Sequence, residues 1–292
     1  MKSYAYKTAG DVKINADVYR ADDTKPRPVL VYIHGGALVG GNRSQVPANL
    51  RDLARTDGYA FVSIDYRLAP EVKLPDIIAD LEDAFRWIHG EGAKQCSLDT
   101  KRLVVTGGSA GGYLTLMTGF RVKPRPTALV AYWGYGDVDG DWYVKPSEFY
   151  RKQPLVSKEE AYKYIGRQVW TGSEPGFNHG KYYLYLRQNG LWTKEVTGFD
   201  PTEKAKLDPY CPVRNVTAEY PPTMLIHGTE DTDVPYELSA NMAKEFAKHK
   251  VKHELVTVKG AGHGLAGGEK KLVQEANERA LAFIRAQMKS RD

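Results

Sequence analysis

A serine between glycines, a histidine in a glycine loop and a short acidic cluster are the residues of this 292-residue chain whose types and spacing suit nucleophilic chemistry. Gly107-Gly108-Ser109-Ala110-Gly111 has the pattern G-x-S-x-G. Alone it is weak, because ordinary Gly and Ser abundances produce it about once in ten chains of this length. Its setting is more specific. The β-branched run Arg102–Thr106 precedes it and the helix-compatible run Tyr113-Leu114-Thr115-Leu116-Met117 follows, so the sequence predicts a strand, a sharp turn and a helix. The glycines let the backbone turn with little clash, leaving the Ser109 hydroxyl at the carboxyl edge of a sheet. The helix start offers unpaired N–H groups to an anion. No Gly-Lys-Ser/Thr follows, which argues against a phosphate loop, and the glycine spacing differs from the dinucleotide-binding fingerprint.

A serine hydroxyl at its free pKa is a poor nucleophile and needs a base that a carboxylate orients. Of seven histidines, His89, His249 and His253 sit in charged or helical contexts, and His179 lies in an irregular stretch. His34 and His227 each end a strand before glycine, which suits buried structural roles. His263, in Gly260-Ala261-Gly262-His263-Gly264 directly after the last strand, falls at the same sheet edge as Ser109 and is the expected base. The acid comes from Thr229-Glu230-Asp231-Thr232-Asp233-Val234-Pro235, which follows another strand. Asp231 is the choice, with Asp233 as a helix N-cap. The chain order is then serine, acid, histidine. Donors for a developing oxyanion are the Ala110 N–H and the bare backbone of His34-Gly35-Gly36-Ala37. The alternative for those paired glycines is an ordinary tight turn.

Stepwise strand and helix patterns place these loops. Pro28–Ile33, Tyr59–Ile64, Arg102–Thr106, Ala128–Trp133, Thr223–Ile226 and Glu254–Val258 are near-continuous apolar runs, as in strands buried on both faces of a parallel sheet. Ile77, Leu81, Ala84, Phe85 and Ile88 share one helical face, and Leu272, Val273, Ala276, Ala280, Phe283 and Ile284 share another. Alternating strand and helix predicts a three-layer α/β sandwich. Tyr4–Tyr6 and Val12–Val18 alternate like an antiparallel edge hairpin. Residues 137–220 break the alternation and are rich in Tyr, Trp, Pro and Gly. They read as an insertion over the sheet, with a helix across Ser157–Trp170 opened by a Ser157/Glu160 capping box. The insertion's aromatics either form its own small core or line a pocket mouth; Trp142, Tyr143 and Trp192 are the candidates for the second role.

The matching segments resemble the α/β-hydrolase fold esterases of the hormone-sensitive-lipase-like group. They are His34-Gly35-Gly36, Asp65-Tyr66-Arg67-Leu68-Ala69-Pro70-Glu71, Gly107–Gly111, Gly228–Pro235 and Gly262-His263-Gly264, and they span most of the chain. The resemblance implies an α/β-hydrolase fold with a Ser109–Asp231–His263 triad. It also implies oxyanion donors at the positions of the second and third glycines after the histidine, here Gly36 and Ala37. Ala37 departs from the third glycine; its N–H survives, but the pocket shape changes. The family's N-terminal helical cap has no counterpart in these residues. An insertion after Gly136 is similar instead to feruloyl-esterase-like and prolyl-oligopeptidase-like relatives, so the substrate class does not carry over.

The expectation is one α/β-hydrolase domain over residues 1–292, with residues 137–220 as a lid, hydrolysing short-chain or aromatic carboxylic esters through an acyl-enzyme. The same machinery would serve an amide hydrolase such as a small peptidase or arylformamidase, and a hydrolase fold can also persist as a non-catalytic binding module. No metal or cofactor is called for. The composition, 42% hydrophobic and 26% charged, excludes disorder and low complexity. A net charge of +5 without a basic block gives no argument for nucleic acid. No apolar run approaches the roughly 18 residues of a membrane span. Met1–Lys7 lacks the apolar core of a signal peptide, so the expected location is cytoplasmic if the chain is complete and secreted if a leader was trimmed. Two cysteines, Cys96 and Cys211, are too few for a disulfide framework and are read as unpaired thiols. The partner is a small-molecule ester, and the protein is a monomer or homodimer.

Overall fold

Apolar runs with no polar alternation require cover on both faces. The computed structural model, which describes residues 1–289, builds them into one eight-stranded sheet. The strands are β1 (Lys2–Ala9), β2 (Val12–Tyr19), β3 (Arg27–Ile33), β4 (Ala60–Ile64), β5 (Leu98–Gly108), β6 (Ala128–Tyr132), β7 (Thr223–Gly228) and β8 (His253–Val258). Their spatial order is β1-β2-β4-β3-β5-β6-β7-β8. β1 and β2 form the expected edge hairpin, and β2 also runs antiparallel to β4. Every later pairing is parallel, so the loops that follow β3, β5, β6, β7 and β8 share one edge.

Two cores sandwich the sheet. Alternate residues of β3 go to opposite sides, Val29, Val31 and Ile33 to one and Leu30 and Tyr32 to the other. Helices Leu74–His89, Ala110–Arg121 and Tyr236–Lys248 cover the first side. Helices Ala48–Asp57 and Lys270–Met288 cover the second. The predicted stripe of Ile77, Leu81, Ala84, Phe85 and Ile88 is fully buried. At about 1.5–3 kcal/mol for each large apolar side chain removed from water, that stripe alone anchors its helix. In the C-terminal helix, Ala276, Ala280 and Ile284 are buried, while Leu272, Val273 and Phe283 remain partly exposed at its flank. The result is the three-layer α/β sandwich that the sequence predicts.

The insertion occupies the chain between β6 and β7 and packs on the first core; Tyr143, Tyr182 and Trp192 belong to the same buried cluster as the sheet. It is a set of short helices around one longer helix, Gly180–Asn189. The helix expected over Ser157–Trp170 is shorter. It spans Lys158–Tyr162, with both capping-box bonds formed. The chain then turns through Gly166, which takes a left-handed φ of 77° and donates its N–H to Glu71 at 2.9 Å. A tertiary acceptor outweighs the helical propensity of that stretch. Among the described residues no helix is long and apolar enough to cross a membrane. Cys96 and Cys211 are buried free thiols.

Candidate active site

Ser109 sits where the sequence predicts a turn. It follows β5 directly and precedes helix Ala110–Arg121, with φ 57° and ψ −124°. A non-glycine residue in that region is strained and persists only where its surroundings impose it. Here the surroundings are backbone. A Cβ on Gly107 would meet the Gly111 carbonyl, and one on Gly111 would collide with the carbonyl of Ile33 on β3. The Ser109 N–H donates to the Tyr132 carbonyl at 3.0 Å, which ties the elbow to β6. Ala110 opens the helix and is buried, so its N–H has no carbonyl one turn back.

The loops after β7 and β8 bring acid and imidazole together. His263 Nδ1 lies 2.9 Å from Asp231 Oδ2 and 3.1 Å from Oδ1. Asp231 Oδ1 also accepts the backbone N–H groups of Asp233 and Val234, both at 2.9 Å. Behind it, buried His227 stands 3.3 Å from Oδ2 while bonding Val234 and Ser239. Burial opposes charge on Asp231. The hydrogen bonds from His227 and His263, joined by the backbone donors, outweigh it and hold the carboxyl well below the usual carboxylate range. Burial also opposes charge on His263, and the Asp231 bond with the nearby Asp233 and Asp231 charges overcomes it, so this imidazole is raised. His34 differs: burial pushes it down to about 4, and it is fully enclosed against Gly35 and Tyr66.

A cavity of about 370 Å³ collects these groups: Ser109 and His263 both line it, with Gly36 and Ala37 on the β3 side. Gly36 has φ 113° and Ala37 φ 56°, so the loop turns its backbone tightly around the cavity. No hydrogen bond joins Ser109 to His263 across this space, as is common before substrate arrives. A larger cavity of about 640 Å³ touches the elbow's Gly107 and Gly108 from the opposite side of the sheet, beside Trp133 and the C-terminal helix. Ser109 does not line it, so the smaller cavity is the candidate site.

Two expectations are corrected. Trp142, Tyr143 and Trp192 do not line the cavity. Tyr143 and Trp192 are buried and stack at 3.7 Å, Trp142 stacks on Tyr143 at 3.5 Å, and the Trp192 indole donates to the Ala37 carbonyl at 3.0 Å. Their apolar area packs within the insertion and against the first core, where both Tyr143 and Trp192 meet Tyr135. The insertion's contribution to the cavity wall is instead Phe177, His179, Gly180 and Tyr183. Asp233 is not a helix cap, because Pro235 holds that position. It lines the cavity, its Oδ1 accepting from Tyr183 and Arg187 and its Oδ2 lying 3.6 Å from His263 Nε2. Nothing in the spacing of these insertion residues marked them, because Phe177 and His179 precede the helix Gly180–Asn189 and Tyr183 is one of three tyrosines within it.

The fold that brings these residues to one sheet edge is shared with known proteins. The profile of the alpha/beta hydrolase fold matches residues 30–267. The chain belongs to this α/β-hydrolase family. Non-reducing polyketide synthase Preu6 of Preussia isomera is 27% identical over 90% of the chain, and ascC of Acremonium egyptiacum 26% over 92%. The chain spans only 14% and 15% of those proteins' lengths. Among solved structures, a Staphylococcus aureus protein of unknown function superposes with a TM-score of 0.78 at 20% identity, covering 99% of this chain and 100% of its own. Thermogutta terrifontis esterase 2 superposes with a TM-score of 0.69 at 22% identity, covering 100% of this chain and 96% of its own. These likenesses extend the α/β-hydrolase fold over the whole described chain.

Proposed function

We propose that this α/β-hydrolase is a serine esterase acting on small carboxylic esters, with Ser109 as nucleophile, His263 as base and Asp231 as the acid that orients it. The observation that carries the reading is His263: Nδ1 rests on Asp231 while the same ring lines the cavity that holds Ser109. His263 takes the proton as Ser109 Oγ attacks the ester carbonyl, then returns it to the leaving alcohol. Asp231 fixes the tautomer that leaves Nε2 free. The backbone N–H groups of Gly36, Ala37 and Ala110 receive the oxyanion. Water then clears the acyl-enzyme, with residues 137–220 shielding the site as a lid. A 370 Å³ cavity favours short acyl groups, with Phe177 offering a face to a flat one. Structures of Thermogutta esterase 2 include propionate-bound and phosphonylated forms, which fits this choice of chemistry. Partners other than a small-molecule ester are not needed, whether the protein is a monomer or a homodimer.

A fluorophosphonate probe tests the nucleophile. Intact-mass and peptide mass spectrometry should find one covalent adduct, on Ser109. A protein that stays unlabelled under conditions that label a control esterase, or an adduct on another residue, sinks the assignment.

The base must be neutral to accept a proton. Its pKa is raised from 6.5, so kcat/KM should climb with pH through a midpoint above that value. Profiles of p-nitrophenyl acetate hydrolysis from about pH 5 to 9 read it. A midpoint at or below the free-imidazole value contradicts the geometry.

A further inference from the structure

The insertion's aromatics surround something specific. Arg187, on helix Gly180–Asn189, is a 3% exposed cation. Its guanidinium lies over the rings of Tyr150 at 4.9 Å, Tyr143 at 5.2 Å, Trp142 at 5.6 Å and Tyr183 at 5.6 Å. It leaves this cage in one direction, bonding the Tyr183 hydroxyl at 2.6 Å, the Asp233 carbonyl at 3.0 Å and Asp233 Oδ1. Tyr183 bonds the same Oδ1 at 2.5 Å. One oxygen of Asp233 is thereby saturated and its orientation fixed. The other faces the cavity, 3.6 Å from His263 Nε2.

We propose that Asp233 is a positioning residue for His263, an anion clamped by Arg187 and Tyr183 of the insertion that holds the imidazole from its Nε2 side and favours its protonated form. The inference rests on the serine-esterase reading, in which Nε2 carries the proton between steps. His263 then lies between two carboxylates of one loop. Asp231 holds Nδ1 by direct bonds, and Asp233 acts on Nε2 across a longer gap. The remaining groups around the ring are Tyr183 from the insertion, with Arg187 behind Asp233, Ser109 from the elbow, and Trp133 just after β6, edge-on at 6.2 Å. His227 meets the ring only through Asp231, and His179 lies across the cavity. The clamp sets how much of Asp233's charge the ring feels: Arg187 offsets it and lowers the imidazole, while Asp233 itself raises it.

Asp233→Asn keeps the size and an acceptor for Arg187 and Tyr183 but removes the charge. It should move the midpoint of the kcat/KM profile to lower pH by about half a unit to one unit, because an anion at this distance stabilises the imidazolium. The rate relative to the parent should therefore rise as pH falls. Arg187→Gln should move the midpoint the other way. A purely structural role for the pair would lower activity without moving either midpoint. The same shifts should appear without catalysis, in the NMR titration of the His263 Hε1 signal in a Ser109→Ala background, identified by its loss in Ser109→Ala/His263→Asn. That reading survives even if the esterase assignment fails. Should Asp233→Asn not fold, Arg187→Gln carries the test by its sign, and the converse holds for Arg187→Gln. A folded Asp233→Asn protein whose His263 titrates at the parental pH, or shifts of the same sign in both variants, overturns the proposal.

Discussion

Ser109→Ala should lower p-nitrophenyl acetate turnover by about four orders of magnitude or more while leaving the fold intact. The proposed reaction begins with attack by one oxygen, and no other hydroxyl of the elbow can replace it. Ala110 and Gly111 follow, and the glycines before it have no side chain. The residual rate would come from binding and from the backbone donors of Gly36, Ala37 and Ala110. Stability should not fall, because Ser109 holds its place through its backbone N–H and its φ of 57° is as unfavourable for alanine as for serine. Near-parental turnover from a folded variant, after excluding a contaminating esterase by a second purification, ends the nucleophile assignment.

Trp192→Ala should be the most damaging single truncation for stability, by about 3–5 kcal/mol. The indole is 0% exposed and lies flat on Tyr143 at 3.7 Å and 11°. Its removal opens a cavity between the insertion and the first core. It also strips the Ala37 carbonyl of the indole N–H donor, and an unpaired buried carbonyl costs about 1–3 kcal/mol. Urea unfolding followed by circular dichroism measures the loss. Ala37 belongs to the proposed oxyanion loop, so kcat should drop more than KM changes. A loss under about 1 kcal/mol would mean that the insertion does not lean on this side chain.

The sheet, and the meeting of Ser109, Asp231 and His263 at one of its edges, were legible because each rule behind them is local. A β-branched run ending at a glycine is a strand reaching an edge, and Ser109, Asp231 and His263 all follow such runs. The sequence also located the edge hairpin and the Ser157 capping box. The insertion was opaque for a physical reason. Its helix Gly180–Asn189 reads Gly-Lys-Tyr-Tyr-Leu-Tyr-Leu-Arg-Gln-Asn, with no polar face to orient it, and the insertion's aromatic rings divide between a buried cation and the cavity wall, with Tyr183 at both. Arg187 gives no signal of its role, since a lone arginine in a sequence carries no sign of burial. Asp233 met the local rule for a helix cap, and a partner 46 residues away in sequence outweighed that rule. Trp142, Tyr143 and Trp192 were correctly placed in the insertion, but neither composition nor spacing could tell a stack from a pocket wall.

The insertion leaves the sheet after β6 and returns at its neighbour β7, which makes it resemble a cassette that recombination could exchange at two adjacent points. The Arg187–Asp233 pair crosses that boundary, with the cation inside the cassette and the anion on the scaffold. A transplant carrying only one of them would leave a charge buried without its counterpart, at a cost of several kcal/mol. Grafts of foreign insertions onto this scaffold should therefore be tolerated only when residue 233 and the donor's residue at the place of Arg187 match.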